Sequence, residues 1–261
     1  MPYEFIRVDL EENIGTITLA RPERRNVLME EVRLELLDAF DRLEKDAEAR
    51  AIILTGGPDI FAAGANIKAM AEASPMEMYH RKRLPELCRK IEAIPKPVIA
   101  AVAGYCLGGG CEIVLACDLR VAADNLRIGL PEVNIGIIPG GGGNIRLVRA
   151  VGKARAKELI FTGDFIGAGE ALRIGLVNRV VSKDALLVEA RDLARRCIRH
   201  SPHSLAMAKV AINIGAEIDL ESAHSLEALA FCMMFSTGDQ KEGMRAFLEK
   251  RKPVYEGRKE D

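Results

Sequence analysis

An α/β fold with a buried sheet core, followed by a helical C-terminal part, is what this 261-residue sequence predicts. Three observations carry that prediction. Short apolar or alternating runs such as "GTITLA", "AIILTG" and "KPVIAAVAG" are separated by longer stretches with helical spacing of apolar residues. Glycine, proline and charged residues punctuate the joins. From Lys153 onward most of the chain has helical character, broken by the short strand "GLVNRVV".

The elements follow in order. "YEFIRVDL" and "GTITLA" read as two strands, with turn residues supplied by "EENIG" between them. "MEEVRLELLDAFDRLEKDAE" sets Val32, Leu36, Phe40 and Leu43 at helical spacing among charges, an amphipathic helix. "AIILTG", Ala51 to Gly56, is a short, fully apolar strand. "PMEMYHRKRLPELCRKIEAI" is helical with a break near Pro85. "KPVIAAVAG" is a second buried strand, and "DLRVAA" and "LRIGLPE" are two more. "PGGGGNIRLVRAVG" is a glycine loop opening a helix. Three later helices start near Lys183, Ser201 and Asp219, and a last one runs from about Gly238 to Arg251. The shift at "HSPHS" divides the chain into a core, 1–200, and a C-terminal helical region, 201–261.

Composition narrows the function. A net charge of −1 gives no global pull toward nucleic acid or an anionic membrane. No run is long and apolar enough to span a bilayer, and the N-terminus lacks the pattern of a targeting leader. The six cysteines have neither a C-x-x-C nor a metal-ligand spacing, and several sit in apolar runs. A reduced, cytoplasmic setting is expected, with no metal.

"YCLGGGCEIVLACD" poses the chemical question, because Glu112 stands among apolar residues where an unpaired carboxylate is expensive to bury. Neither of the two glycine-rich segments completes a nucleotide motif: "PGGGGNIR" lacks the lysine and hydroxyl of a phosphate loop, and neither gives G-x-G-x-x-G after a strand. The residues of "LGGGCE" leave two readings open. Glycine there serves tight helix–strand packing, or it lets a ligand reach bare N–H groups at a helix start, where an oxyanion would be held.

Taken together, "AAVAGYCLGGGCEIVLACDLRVAA" and "GLPEVNIGIIPGGGGNIRLVRAVG" resemble the signature region of the enoyl-CoA hydratase/isomerase, or crotonase, superfamily. "FAAGANIKAM", "ELIFTGDFIGAGEALRIGLVNRVV" and "FLEKRKPVYEGR" extend the resemblance in the family's order over essentially the whole chain. The resemblance implies a crotonase-like spiral of ββα units with a C-terminal helical trimerisation region. It also implies a homo-oligomer, a trimer or a dimer of trimers. The activity implied is reversible hydration of a short-chain trans-2-enoyl-CoA to a 3-hydroxyacyl-CoA, with no cofactor beyond the coenzyme A of the substrate.

By the same resemblance, the N–H groups of Ala65 and Gly109 form an oxyanion hole for the thioester enolate. Such donors are worth roughly 3–4 kcal/mol each. Glu112 and Glu132 are the catalytic pair, Glu112 mainly activating water and Glu132 moving the proton at Cα. Ala63, Ala65, Asn66, Ile67, Lys68 and Gly109 line the acyl-CoA site, and Phe247 and Lys250 of a neighbouring subunit approach the nucleotide. Asn66 stands where an aspartate is frequent in the family, and Asn144-Ile145 where Thr-Gln is common. These departures bear on substrate preference more than on reaction type.

Alternatives within the superfamily are an isomerase, a decarboxylase or a thioester hydrolase. Outside catalysis, an RNA-binding homologue is the alternative, suggested by Arg81-Lys82-Arg83 and Lys250-Arg251-Lys252. Interleaved acidic residues and the lack of an aromatic platform count against RNA. His200 and His203 have no recognisable partner carboxylate and suggest a surface junction. His80 is a minor substrate-contact candidate, and Met70, Met76 and Met78 line an acyl tunnel or fill core space. Phe235 and Tyr255 read as core or interface residues.

Overall fold

The computed structural model describes residues 3–80 and 83–255. The chain opens on an antiparallel hairpin, β1 (Ile6–Glu11) and β2 (Ile14–Leu19), turning at Glu12 and Asn13. Helix α1 (Glu30–Lys45) follows and buries Val32, Leu36, Phe40 and Leu43, the stripe its periodicity predicts. One unit then repeats three times: a strand in a large sheet, a short strand in a second sheet, and helix. The first is β3 (Ala51–Thr55), β4 (Ile60–Ala62), α2 (Ile67–Ala71), α3 (Pro75–His80) and α4 (Arg83–Ala93). The second is β5 (Val98–Val102), β6 (Tyr105–Leu107) and α5 (Gly109–Ala116). The third is β7 (Leu119–Ala123), β8 (Arg127–Gly129), a 3-10 turn over Pro131–Ile135, α6 (Gly143–Val151) and α7 (Lys153–Thr162). Strand β9 (Phe165–Gly167), α8 (Ala168–Arg173), β10 (Arg179–Val181) and α9 (Leu186–Ile198) complete the spiral.

The large sheet runs β1-β2-β3-β5-β7-β10 and is parallel from β2 onward. The second runs β4-β6-β8-β9, with β9 antiparallel. Because successive strand residues point to opposite faces, Ile52, Leu54, Val98 and Ala100 join the core with α1, α4 and α5. Ala51, Ile53, Ile99 and Ala101 meet Leu186, Ala190 and Ala194 of α9 on the other face. Both faces are covered, so "AIILT" and "VIAAV" are apolar without alternation.

Three strands lie outside the sequence prediction. β4, β6 and β9 are three residues each, too short to display a period of two. β9 falls in a stretch expected to be helical, and its pairing to β8 overrides that local preference. Pro85 occupies the first turn of α4, where its missing N–H costs nothing. The last helix, α12 (Gly238–Leu248), ends three residues before the expected Arg251.

Beyond Ser201 the chain forms α10 (Pro202–Gly215), α11 (Leu220–Met234) and α12, capped by Ser201, Asp219 and Thr237. Lys209 anchors α10 to the spiral, donating to Asp118 Oδ2 at 2.8 Å and to the carbonyl of Ile91 at 3.2 Å. These helices leave large apolar side chains in the open, among them Leu220, Leu229, Phe231, Phe247 and Leu248.

Gly104 turns the chain from β5 into β6 at φ +58°, and a Cβ there would stand 1.8 Å from the carbonyl oxygen of Asp59. The Gly104→Ala variant should therefore lose at least about 1–3 kcal/mol of stability in urea unfolding. Gly169→Ala, in α8 where a Cβ meets nothing within 4 Å, should be neutral or gain up to about 1 kcal/mol. Equal unfolding midpoints for the two variants would contradict the steric argument.

Candidate active site

The site is assembled where the two sheets feed their helices. Gly108 precedes α5 with φ 55° and ψ −124°, a conformation closed to residues carrying a side chain. The helix thus begins at Gly109, whose N–H is among those without an intrahelical partner. Gly110 answers the packing reading, since a Cβ there would lie 2.7 Å from the carbonyl oxygen of Ala62 in β4. Packing and ligand access are therefore both built into the same glycine run.

Ala65 follows Gly64 and leads into α2, which Asn66 caps by accepting from the N–H of Ala69 at 3.3 Å. Neither Ala65 nor Gly109 donates its N–H to another protein group among the described residues. The two segments lie side by side. A Cβ on Gly64 would be 3.4 Å from the Leu107 carbonyl, and one on Gly108 would be 3.7 Å from Gly64 Cα.

A residue the sequence reading missed holds this arrangement. Asn26 is 3% exposed, and its amide nitrogen donates to the carbonyls of Gly56, Ile60 and Phe61 at 3.3, 3.2 and 3.0 Å. Its amide oxygen accepts from Arg21 N–H at 2.9 Å. Ala63 donates to the Arg25 carbonyl and Leu28 to the Gly64 carbonyl, so the turn around Asn26 grips the chain just before Ala65 at two points. A polar residue flanked by "RR" and "VLM" was the available signal.

Glu112 lies one turn into α5 and is 2% exposed. Its Oε1 accepts from Gly141 N–H at 2.7 Å and from Gly143 N–H at 2.8 Å. A Cβ on Gly141 would stand 2.7 Å from Oε2, and one on Gly143 would stand 3.0 Å from Oε1, so the glycine loop is shaped to this carboxylate. Burial raises its pKa above the usual carboxylate value, while the two N–H groups, Arg146 and Arg33 pull the other way.

Glu132 enters from the 3-10 turn, with Oε1 3.1 Å from where a Gly108 Cβ would be. Its Oε2 is buried and has no hydrogen-bond partner among the described residues. Burial first, and the charge of Glu112 second, push its pKa up to about 7. One carboxylate is thus well supplied with donors, and its neighbour has one oxygen without any among the described residues. Such a split suits a base and an acid working together near neutral pH.

Beside the start of α2 lies an open cleft of about 590 Å³. Asn66 and Lys68 line it together with Arg21 and Arg24, so three cations face one concavity. The cleft does not reach the two glutamates and accounts for one end of a long ligand only. Ala63 and Ile67 flank the same segment, Ala63 partly buried and Ile67 exposed. Phe247 and Lys250 stand at the end of α12 outside that lining, with Phe247 82% exposed.

Met76 and Met78 of α3 are exposed and Met70 of α2 is partly so; His80 stacks edge-on against Tyr79. His203 corrects one expectation, because it has a carboxylate partner after all. Its Nδ1 lies 3.4 Å from Asp239 Oδ2, which also accepts from Ser201 Oγ at 2.6 Å. The partner is 36 residues away in sequence and invisible to local spacing. Phe235 is half exposed and packs edge-on against Phe231, while Tyr255 sits over Gly243. Among the described residues no group of His, Cys, Asp and Glu could hold a metal ion, and no helix is long and apolar enough to cross a membrane. Arg81, Lys82 and the side chain of Arg83 lie outside the described residues.

Comparison with known proteins places this geometry in a family. Residues 9–258 match the enoyl-CoA hydratase/isomerase family. The chain is 46% identical to the crotonyl-CoA hydratase of Syntrophomonas wolfei over 98% of its own length and 99% of that protein's. It is 44% identical to the short-chain-enoyl-CoA hydratase of Clostridium acetobutylicum, over 94% and 95% of the two chains. The crystal structure of an enoyl-CoA hydratase from Bacillus anthracis superposes with a TM-score of 0.93 at 38% identity, over 98% of this chain and all of that one. This chain belongs to the enoyl-CoA hydratase/isomerase family and has the crotonase fold.

Removing the charge of Glu112 should let Glu132 ionise more easily. In Glu112→Gln the titration of Glu132, followed by difference infrared spectroscopy, should move from about 7 part of the way toward its ordinary value. Burial, the larger cause, keeps it from returning fully. An unmoved or raised titration would contradict the coupling of the two groups.

Proposed function

We propose that this protein is an enoyl-CoA hydratase, a hydro-lyase that adds water across the 2,3 double bond of a short-chain trans-2-enoyl-CoA. The observation that carries the reading is the pair of unequal carboxylates, Glu112 and Glu132, beside the N–H groups of Ala65 and Gly109, which have no protein partner among the described residues. The named activities of the relatives support it.

The chemistry follows from what each group can do. The N–H groups of Ala65 and Gly109 take the thioester oxygen as it gains charge, and so polarise the double bond. Glu112, its Oε1 engaged by two glycines, accepts a proton from water through its other oxygen as the water oxygen bonds to C3. Glu132, whose pKa is pushed up to about 7 by burial and by the charge of Glu112, delivers a proton to C2. One water is consumed and no electrons change hands, so hydration requires no redox cofactor. A double-bond isomerisation needs a single carboxylate to carry a proton between carbons, and the second glutamate would then be idle.

The cleft with Arg21, Arg24 and Lys68 is suited to the phosphates of coenzyme A, with Asn66 at the join to the oxyanion segment. The division at residue 200 has a physical counterpart in this reading. Helices α10–α12 carry an apolar surface, Phe231, Phe247 and Leu248 included, too large to leave in water. A trimer or a dimer of trimers covers that surface and brings Phe247 and Lys250 of one subunit toward the nucleotide end of the next. The setting is cytoplasmic. RNA binding is disfavoured because Arg251, in the second basic run, is paired with Glu242 and Glu249.

Replacing either Glu112 or Glu132 by Gln should lower crotonyl-CoA hydration by roughly 10²–10⁴-fold while leaving coenzyme A affinity within a small factor. Steady-state rates, with calorimetric binding of the product thioester, check this. A double variant that still turns over near the wild-type rate would overturn the assignment.

A further inference from the structure

We propose that Arg146, fixed by Glu92, is a positioning residue for the reaction: it holds the 139–143 loop in the one shape that aims two N–H groups at Glu112. The proposal rests on the reading of Glu112 as the water-activating carboxylate. Arg146 lies in α6, yet its guanidinium reaches back over the loop that opens that helix. Nη1 donates to the Gly141 carbonyl at 2.9 Å. The opposite edge forms a two-point pair with Glu92 of α4, Nε to Oε1 at 2.5 Å and Nη2 to Oε2 at 2.7 Å. A planar fork can satisfy a carboxylate and a carbonyl at once, and a lysine ammonium cannot reproduce that geometry.

Gly141 is the hinge of this relay. Its carbonyl is taken by Arg146 and its N–H is given to Glu112. The glycines divide the space between the two side chains. A Cβ on Gly141 or Gly143 would press on the Glu112 carboxylate, whereas one on Gly142 would stand 2.0 Å from Arg146 Nη1. Gly140 is different, because a Cβ there meets nothing within 4 Å. Asn144 ties the other end of the loop, donating to the Pro139 carbonyl at 2.8 Å. So "GGG" over 141–143 is cut to fit a carboxylate on one side and a guanidinium on the other.

The consequence reaches the acid side of catalysis. The groups facing Glu112 are Arg146 from α6, Arg33 from α1, Glu132 from the 3-10 turn, Cys88 from α4 and its own neighbour Cys111. Both thiols are neutral, because burial pushes their pKa far up. Arg146 and Arg33 favour the carboxylate, and burial opposes them. Losing Arg146 removes a cation and loosens both N–H donors, so the Glu112 pKa rises and activity is lost at a higher pH on the acid limb. Glu132, whose shift comes from burial and from Glu112, sets the alkaline limb, which should stay in place.

The test is the pH profile of kcat/KM for crotonyl-CoA hydration by the full-length protein, with Arg146→Met, Arg146→Lys, Glu92→Gln and Glu112→Gln beside the wild type. Arg146→Met should lower kcat by roughly up to a hundredfold with little change in KM. It should also move the acid limb to higher pH and leave the alkaline limb alone. Arg146→Lys keeps the charge and loses the fork, so it should show most of the kcat loss with a smaller shift of the limb. Glu92→Gln, the milder change, frees the fork. Loss of the Glu92 charge alone would lower the limb, so a shift to higher pH there reports the loosened N–H donors. It also covers the case in which Arg146→Met does not fold. Infrared titration of Glu112 in the free proteins should rise in the same order. Folded Arg146 and Glu92 variants whose acid limb and Glu112 titration match the wild type would overturn the proposal, even if kcat fell. If Glu112→Gln itself kept wild-type turnover, the reading beneath the proposal would fail instead.

Discussion

A carboxylate sealed inside the protein at the start of a helix is the constraint around which this structure is arranged. Moving such a charge out of water costs several kcal/mol unless donors replace the lost solvent. Glu112 receives two backbone N–H groups on one oxygen, from Gly141 and Gly143. Those donors come from a loop that no other residue type could trace so near the carboxylate. The loop in turn needs α4, α5 and α6 in register, and these helices hang from successive turns of the two-sheet spiral. The fold's repetition is what lets groups distant in sequence meet at one point.

The second carboxylate obtains its properties by contrast. Among the described residues Glu132 has no donor for Oε2, it is buried and it has a charged neighbour, and these leave it reluctant to ionise. A buried polar atom without a partner is rare enough in folded proteins to need a reason. The proposed proton transfer would supply one, since a fully satisfied carboxylate would hold its charge too firmly to donate at neutral pH. The same contrast appears at the proposed oxyanion donors. Among the described residues the N–H groups of Ala65 and Gly109 have no protein partner, while the Asn26 amide, at their back, donates to three carbonyls and accepts from one N–H.

Much of this was legible before the structure. The long elements announced themselves through period or apolar continuity: α1 by its stripe, β3 and β5 by being apolar on both faces. Family resemblance located Glu112, Glu132 and the two donors, and the structure brings their segments together. What escaped was either too short or too distant. Strands of three residues leave no periodic trace, so β4, β6 and β9 went unseen although two of them lead into the segments of Ala65 and Gly109. Asn26 reaches carbonyls 30 to 35 residues away, and His203 finds Asp239 across 36. Helix α5 is buried on every side, so no amphipathic pattern marked it, and its glutamate looked out of place until the glycine loop came into view.

If two carboxylates of unequal acidity add one water to a polarised double bond, the reaction of the wild-type protein with crotonyl-CoA in isotopically labelled water, followed by ultraviolet absorbance and mass spectrometry, will show it. Rapid loss of the conjugated enoyl-thioester absorbance is expected, with one labelled oxygen at C3 and one solvent proton at C2. Migration of the double bond without gain of water, or release of free coenzyme A, would contradict it.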